Sequence, residues 1–316
     1  MKITILDGHA LNPGDLSWDQ IAQFGEVRYY DRTESEALTI ERIGDSEIIL
    51  LNKVPISRNI LDHCPNLKLI CVLATGYNVV DYKAAAEKGI AVCNVPGYST
   101  DSVAQFTFAL LLELCHQVGL HSQSVHSGDW CICPDFCYWK TPQMELAGKT
   151  IGIIGYGAIG QAVGKIAKAF GMKVLAHSRT RYPEHSYVEL DTLLAESDVI
   201  TLHCPLFPEN TGMINRLSIA KMKDGAFLLN TARGGLVDEA AVAAALETGK
   251  LGGYAADVAI TEPIPAGSPL LGAKNCILTP HMAWAPVEAR QRILNITEEN
   301  IRLFLQNEPQ NVVNNP

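Results

Sequence analysis

The sequence predicts an α/β protein made of two parallel-sheet units, the second inserted before a helix that returns at the C-terminal end. Three observations carry this expectation. Short apolar runs alternate with helix-like segments from the first residues onward. A glycine turn at Gly155–Gly160 separates a strand-like run from an amphipathic segment, and the chain closes on a long amphipathic stretch, Pro286–Asn307. The chain has 316 residues, enough for two domains, and 47% hydrophobic content with 19% charged residues supports sizeable cores.

The elements follow in order. Apolar runs at Lys2–Leu6, Glu26–Tyr30, Glu47–Asn52, Leu67–Leu73 and Ala91–Val95 read as strands. Between them, Asp15–Phe24, Glu34–Gly44 and Asp81–Lys88 mix polar and apolar residues as helices do. From Ser99 a long helical stretch runs through Phe106–Leu112, followed by a turn-rich aromatic segment, Gly128–Pro142. Thr150–Ile154 and Met172–Ala176 read as strands around a helix with Ile159, Val163, Ile166, Ala167 and Phe170 at helical spacing and Gly171 at its stop. Later strands are expected at Asp198–Leu202, Ala226–Asn230, Gly253–Asp257 and Cys276–Leu278.

Strand, glycine turn, helix, strand is the context in which Gly155-Tyr156-Gly157-Ala158-Ile159-Gly160 becomes a dinucleotide-binding motif. Gly155 allows a tight turn, Gly157 lets the backbone approach a pyrophosphate, and Gly160 lets helix and strand pack closely. The helix N-terminus offers free N–H groups to the phosphates. An acidic residue that accepts adenosine ribose hydroxyls belongs roughly twenty residues further on. Here the second strand ends His177-Ser178-Arg179-Thr180-Arg181, with no carboxylate.

Composition excludes several classes. A formal charge of −9 and the lack of a basic stripe argue against nucleic acid. No apolar run reaches membrane-spanning length, and the first residues read as a strand, so a cytoplasmic enzyme is expected. Nine cysteines, an odd count scattered mostly singly (Cys71, Cys93, Cys204, Cys276), read as small hydrophobes and not as a disulfide framework. Cys131, Cys133 and Cys137 cluster downstream of His116, His121 and His126, but the spacing lacks a Cys-x2-Cys pair and no metal is expected.

Three polar signals lie near the ends of later strands. Arg233, in Asn230-Thr231-Ala232-Arg233-Gly234-Gly235, has a planar fork that matches a carboxylate. Asp257 is followed by Glu262-Pro263, and His281 stands in Thr279-Pro280-His281-Met282-Ala283-Trp284. Each alone reads as a loop or structural residue; together, in this order after the glycine turn, they point to chemistry.

This set, with His203-Cys204-Pro205-Leu206, resembles the D-isomer-specific 2-hydroxyacid dehydrogenase family over essentially the whole chain. The resemblance implies a Rossmann cofactor domain inserted into a flavodoxin-like substrate domain, both doubly wound. Residues 1–98 and 287–316 would form the substrate domain and 99–286 the cofactor domain, with a dimerisation insertion at about 121–148. It implies that Arg233 binds the substrate carboxylate, that His281 exchanges a proton with the substrate oxygen, and that Glu262 hydrogen-bonds His281, a pairing that favours the imidazolium. Gly155, Tyr156, Gly157, Ala158, Ile159, Gly160, Ser178, Arg179, Thr180, His203, Cys204, Pro205, Thr231, Ala232 and Asp257 would line the cofactor site. Thr75 and Gly76, in Ala74-Thr75-Gly76-Tyr77, match the loop that faces the substrate carboxylate. Ala74 and Asn78 depart from the usual Gly and Asp, as in the glycerate dehydrogenase or hydroxypyruvate reductase branch. Asn52 and Lys53, after another strand, would form the opposite wall, though Lys53 reads equally as a surface lysine. Trp139, beside Tyr138 and Lys140 in the insertion, reads most simply as dimer-interface core, and it also resembles a tryptophan that reaches the partner subunit's substrate site.

The implied activity is reduction of a small 2-oxo acid to the D-2-hydroxy acid, hydroxypyruvate to D-glycerate or glyoxylate to glycolate, in a homodimer. D-Lactate or D-3-phosphoglycerate dehydrogenase is the alternative within this chemistry, and a dinucleotide-sensing corepressor the alternative outside it. Ser178 stands where NAD-binding members commonly carry Asp, and two arginines follow, so NADP(H) is favoured over NAD(H).

Overall fold

The apolar runs become the strands of two separate parallel sheets in a computed structural model of the protein, which describes residues 1–182 and 186–314. The chain divides into two units, Met1–Ser99 with Trp284–Pro316, and Thr100–Ala283.

In the first unit the strands are β1 (Lys2–Ile5), β2 (Glu26–Tyr29), β3 (Ile48–Leu51), β4 (Leu69–Val72) and β5 (Ala91–Cys93). They pair in parallel in the order β2-β1-β3-β4-β5, the flavodoxin-like arrangement. Strands β3 and β4 are buried at every position because helices cover both faces of a parallel sheet. The helices α1 (Asp19–Ala22), α2 (Glu36–Ile43), α3 (Arg58–His63) and α4 (Tyr82–Glu87) connect them. Ser35, Ser57 and Asp81 cap α2, α3 and α4 by accepting N–H bonds from Leu38, Ile60 and Ala84. The expected helix over Asp15–Phe24 shortens to α1. Asn12 Oδ1 takes the N–H groups of Gly14 and Leu16 and holds that stretch as a turn.

The second unit opens with α5 (Thr100–His116) and α6 (Val118–His126), one expected helix broken and bent by 56° at Gln117, whose φ is +43°. Among the described residues no single helix is long and apolar enough to cross a membrane. There follow β6 (Thr150–Ile154), α7 (Ala158–Ala169), β7 (Lys173–His177), α8 (Leu190–Glu196), β8 (Val199–Leu202), α9 (Arg216–Lys221), β9 (Ala226–Asn230), α10 (Glu239–Thr248), β10 (Leu251–Ala256) and β11 (Cys276–Leu278). All pair in parallel, in the order β11-β10-β9-β8-β6-β7. A single parallel bridge from Ala176 to Tyr187 adds a vestigial strand position beyond β7. The chain thus winds outward from β6 to β7 and then reverses to β8 on the other side of β6. Ligands in open α/β sheets bind at such a reversal, beyond the carboxyl ends of the strands. One face of the sheet packs on α5 and α7 through Phe108, Leu111, Val163 and Ala167. The other packs on α8, α9 and α10 through Leu193, Ile219, Val242 and Leu246.

The chain returns to the first unit as α11 (Val287–Leu305), which buries Ala289, Ile293, Leu294 and Ile301 in that unit's core. Its arginines hold both ends of the excursion. Arg290 Nε donates to Ala285 O at 2.8 Å while its fork grips Asp15, and Arg292 Nε donates to Tyr98 O at 2.8 Å.

Candidate active site

The crevice beside β6 is built by backbone. Gly155 has φ +93°, and a Cβ there would lie 2.5 Å from Cys204 N and 2.6 Å from His203 C, so only glycine lets the loops after β6 and β8 touch. His203 N donates to Ile154 O and Gly155 N to His177 O, both at 2.8 Å, which ties three strand ends together. Gly157 caps α7 without a side-chain bond, and a Cβ placed on it meets no atom within 4 Å. The N–H groups of Ala158, Ile159 and Gly160 therefore begin a helix beneath open space, a cradle that a pyrophosphate fits. Tyr156 is buried in the core.

The loops on either side complete the crevice. Ser178, Arg179 and Thr180 follow β7, with Arg179 and Thr180 exposed. Arg179 lies over the Phe207 ring, 4.2 Å from its centroid. His203 Nε2 bonds Thr201 Oγ1 at 2.9 Å, its Nδ1 is buried without a partner among the described residues, and burial pushes its pKa down to about 3, so the ring is neutral. Cys204 and Pro205 carry on from it toward Phe207.

The polar residues after β9, β10 and β11 gather at the same carboxyl rim. Buried Asn230 shapes the first turn: its Oδ1 accepts Ala232 N–H at 3.1 Å and its Nδ2 donates to Arg233 O at 2.9 Å. Thr231 Oγ1 bonds Thr107 Oγ1 of α5 at 3.2 Å. Arg233 donates to Ala232 O at 2.6 Å and is otherwise exposed. Gly234 lies against the next loop so closely that a Cβ would sit 2.0 Å from Ala259 C. That contact brings the Arg233 turn to the loop that carries Glu262.

Glu262 and His281, 19 residues apart, meet there. His281 Nδ1 lies 2.7 Å from Glu262 Oε2, with side chains 33% and 38% exposed. Glu262 Oε1 accepts Ala259 N–H at 3.1 Å, and Glu239 of α10 accepts Ile260 N–H at 2.9 Å, so the loop that carries the carboxylate is tied both to it and to α10. His281 has φ +54°. Asp257, 2% exposed, explains how that backbone is held: it accepts Thr279 Oγ1 at 2.6 Å, Met282 N–H at 2.9 Å and Ala283 N–H at 2.8 Å. Its carboxylate bonds thus flank His281 within the protein, where the resemblance places Asp257 beside the nicotinamide. An imidazole engaged at Nδ1 keeps Nε2 free for proton exchange, and a guanidinium fork stands on the same rim.

The remaining expected residues belong to the first unit and the insertion. Asp7 at the end of β1 accepts N–H bonds from Asn52 (2.7 Å), Lys53 (2.6 Å) and Val54 (3.2 Å) and so sets that loop. Burial pushes its carboxyl up against the pull of those donors. Asn52 is buried, whereas Lys53, Thr75 and Gly76 are exposed. Thr75 Oγ1 donates to Val95 O at 2.9 Å. Trp139 is 69% exposed, in a segment that also exposes Trp130, Ile132 and Phe136. Sequence reasoning missed Asp7, Thr107, Glu239 and Phe207. Asn230 alone carried a signal, standing at a strand end within the quoted motif.

Residues 108–283 match the family described as D-isomer specific 2-hydroxyacid dehydrogenase, NAD binding domain. The chain is similar to a hydroxypyruvate reductase of Blautia hydrogenotrophica, 54% identical over 99% of this chain and 100% of that one. It is also similar to a glycerate dehydrogenase of Methylorubrum extorquens, 44% identical over 91% and 92%. A crystal structure of a Thermus thermophilus protein superposes with a TM-score of 0.87 at 35% identity, covering 99% of this chain and 100% of that one.

Proposed function

This chain belongs to the D-isomer specific 2-hydroxyacid dehydrogenase family, and from that premise we propose that it reduces hydroxypyruvate to D-glycerate, with glyoxylate as a second substrate. It is an oxidoreductase that works on small 2-oxo acids with a nicotinamide dinucleotide. The observation that carries the reading is the 2.7 Å Glu262–His281 pair on the rim that also bears Arg233. The Gly155–Gly160 turn and the start of α7 would hold the reduced dinucleotide, which would supply the hydride. Arg233 takes the substrate carboxylate in its fork and orients the carbonyl. His281, held through Nδ1, gives the Nε2 proton to the carbonyl oxygen as the carbonyl carbon is reduced, and takes it back in the reverse direction. A hydroxymethyl substituent needs little beyond this clamp and one polar wall.

The cofactor reading is NADP(H) over NAD(H). Ser178 leaves no carboxylate at the end of β7 to repel a 2′-phosphate, and Arg179 supplies a cation beside it. The exposed aromatic and aliphatic side chains of the insertion, with Ile132 85% and Phe136 89% exposed, support a homodimer through that face. Nine unpaired cysteines support a reducing, cytoplasmic setting.

The test is a matrix of hydroxypyruvate, glyoxylate and pyruvate against NADH and NADPH. The highest kcat/KM is expected for hydroxypyruvate with NADPH. Pyruvate as the best substrate would make this a D-lactate dehydrogenase. Nucleotide binding without turnover on any of the three would make it a sensor.

A further inference from the structure

The stretch after β8 holds a residue that neither the glycine motif nor the catalytic rim explains. Phe207 is fixed at both ends of its peptide: its N–H donates to Asn210 Oδ1 at 2.7 Å and its carbonyl accepts Thr211 Oγ1 at 3.0 Å. Asn210 Nδ2 in turn donates to Pro205 O at 2.9 Å, which closes the loop on itself. The ring is thus presented from a rigid base. On it lies the Arg179 guanidinium, 4.2 Å from the ring centroid.

The two residues come from opposite sides of β6, Arg179 from the end of β7 and Phe207 from beyond β8. Their contact therefore spans the mouth of the crevice at the strand reversal. The neighbouring cation is engaged elsewhere: Arg181 pairs with Glu189 at 3.1 Å and lies near the Tyr187 ring. Arg179 makes no ion pair with a carboxylate among the described residues. Burial pushes the Cys204 thiol pKa up, and the nearby Arg179 charge opposes that rise.

A guanidinium held over a ring at this 4.2 Å separation is attracted by the ring without spending its N–H donors on a protein acceptor. An arginine on a mobile turn must otherwise be ordered when an anion arrives, and a pre-placed one has less freedom to lose. We infer that Phe207 is a positioning residue for cofactor discrimination, its ring holding the Arg179 fork at the crevice mouth where a phosphate monoester on the adenosine ribose is read. The inference rests on the NADP(H) reading above and adds to it the residue that pre-organises the arginine.

The test measures binding of adenosine 2′,5′-bisphosphate and adenosine 5′-monophosphate by calorimetry, so that no turnover is needed. Phe207→Leu should weaken the bisphosphate about two- to five-fold, the range of an exposed cation–π contact, and leave the monophosphate unchanged. Phe207→Tyr, which keeps the ring, should retain the wild-type ratio. Arg179→Ala should collapse the ratio, and Phe207→Leu added to Arg179→Ala should change nothing further. If Arg179→Ala collapses the ratio but Phe207→Leu leaves it intact, Phe207 has no such role and the NADP(H) reading stands. If wild type binds both nucleotides equally, that reading fails and this inference with it. Phe207→Met covers the case in which Phe207→Leu does not fold: it keeps an apolar side chain of similar bulk but gives up the ring. A wild-type ratio in Phe207→Met would overturn the inference, and a loss of about two- to five-fold confined to the bisphosphate would support it.

Discussion

Two glycines of one motif should fail in opposite ways when each is changed to alanine. At Gly155 the backbone has φ +93°, and an added Cβ would meet Cys204 N at 2.5 Å, His203 C at 2.6 Å and Cys204 Cα at 2.8 Å. Every one of these is a backbone atom, so no side chain can swing aside. A left-handed non-glycine residue costs about 1–3 kcal/mol, and overpacking that moves backbone adds about 1–3 kcal/mol. A central figure of about 4 kcal/mol is a large share of a domain's stability. At roughly 2–4 °C per kcal/mol for a unit of this size, the melting temperature should fall by about 8–16 °C. At Gly157 the φ is −80° and nothing lies within 4 Å of the new Cβ. Gly157→Ala should therefore melt within about 2 °C of wild type, as unconstrained surface changes do. Its methyl group instead occupies the space a pyrophosphate needs, so nucleotide affinity should drop at least about tenfold, roughly 1.4 kcal/mol. Thermal melting and nucleotide titration of both variants separate the two effects. Wild-type melting of Gly155→Ala would refute the backbone clash, and wild-type nucleotide affinity in Gly157→Ala would refute the cradle.

Further expectations follow from the catalytic rim and the surface. His281→Asn should fold normally, since asparagine tolerates the φ of +54°, yet lose about 10²–10⁴-fold in turnover with nucleotide affinity intact; near-wild-type turnover would remove His281 from the mechanism. Arg233→Lys should raise KM and lower kcat together because the fork both binds and orients, and an unchanged KM for every 2-oxo acid would contradict the carboxylate role. Since burial holds His203 near a pKa of about 3, its ring stays neutral above that pH and should add no ionisation of its own to nucleotide binding between about pH 5 and 8, where a ribose 2′-phosphate itself titrates near about 6; an ionisation near the usual histidine value of about 6.5 that disappears in His203→Asn would refute this. Ile132→Asp with Phe136→Asp should shift the protein to monomers in light scattering, and a persistent dimer would move the interface elsewhere.

Local pattern in this chain determined a great deal. Uninterrupted runs such as Ile48–Leu51 and Val199–Leu202 mark strands buried on both faces, and they are buried at every position in the structure. The glycine turn between a strand and an amphipathic helix, with the order Arg233, Glu262, His281 behind it, was enough to reach the family. These signals are legible because each depends on periodicity or on residues adjacent along the chain. Tertiary structure decided what depends on distant partners. Gln117 breaks a helix at φ +43°, a left-handed position held by a glutamine while the nearest glycine, Gly119, stands two residues further on inside the next helix. Asp7 reaches a loop 45 residues away to hold Asn52, and Asp257 reaches 25 residues on to hold the backbone beside His281. Arg179 finds Phe207 only because β7 and β8 flank β6. Strand order and the close approach of loops set these contacts, and both are settled by packing of whole sheets and helices, which no window of neighbouring residues encodes.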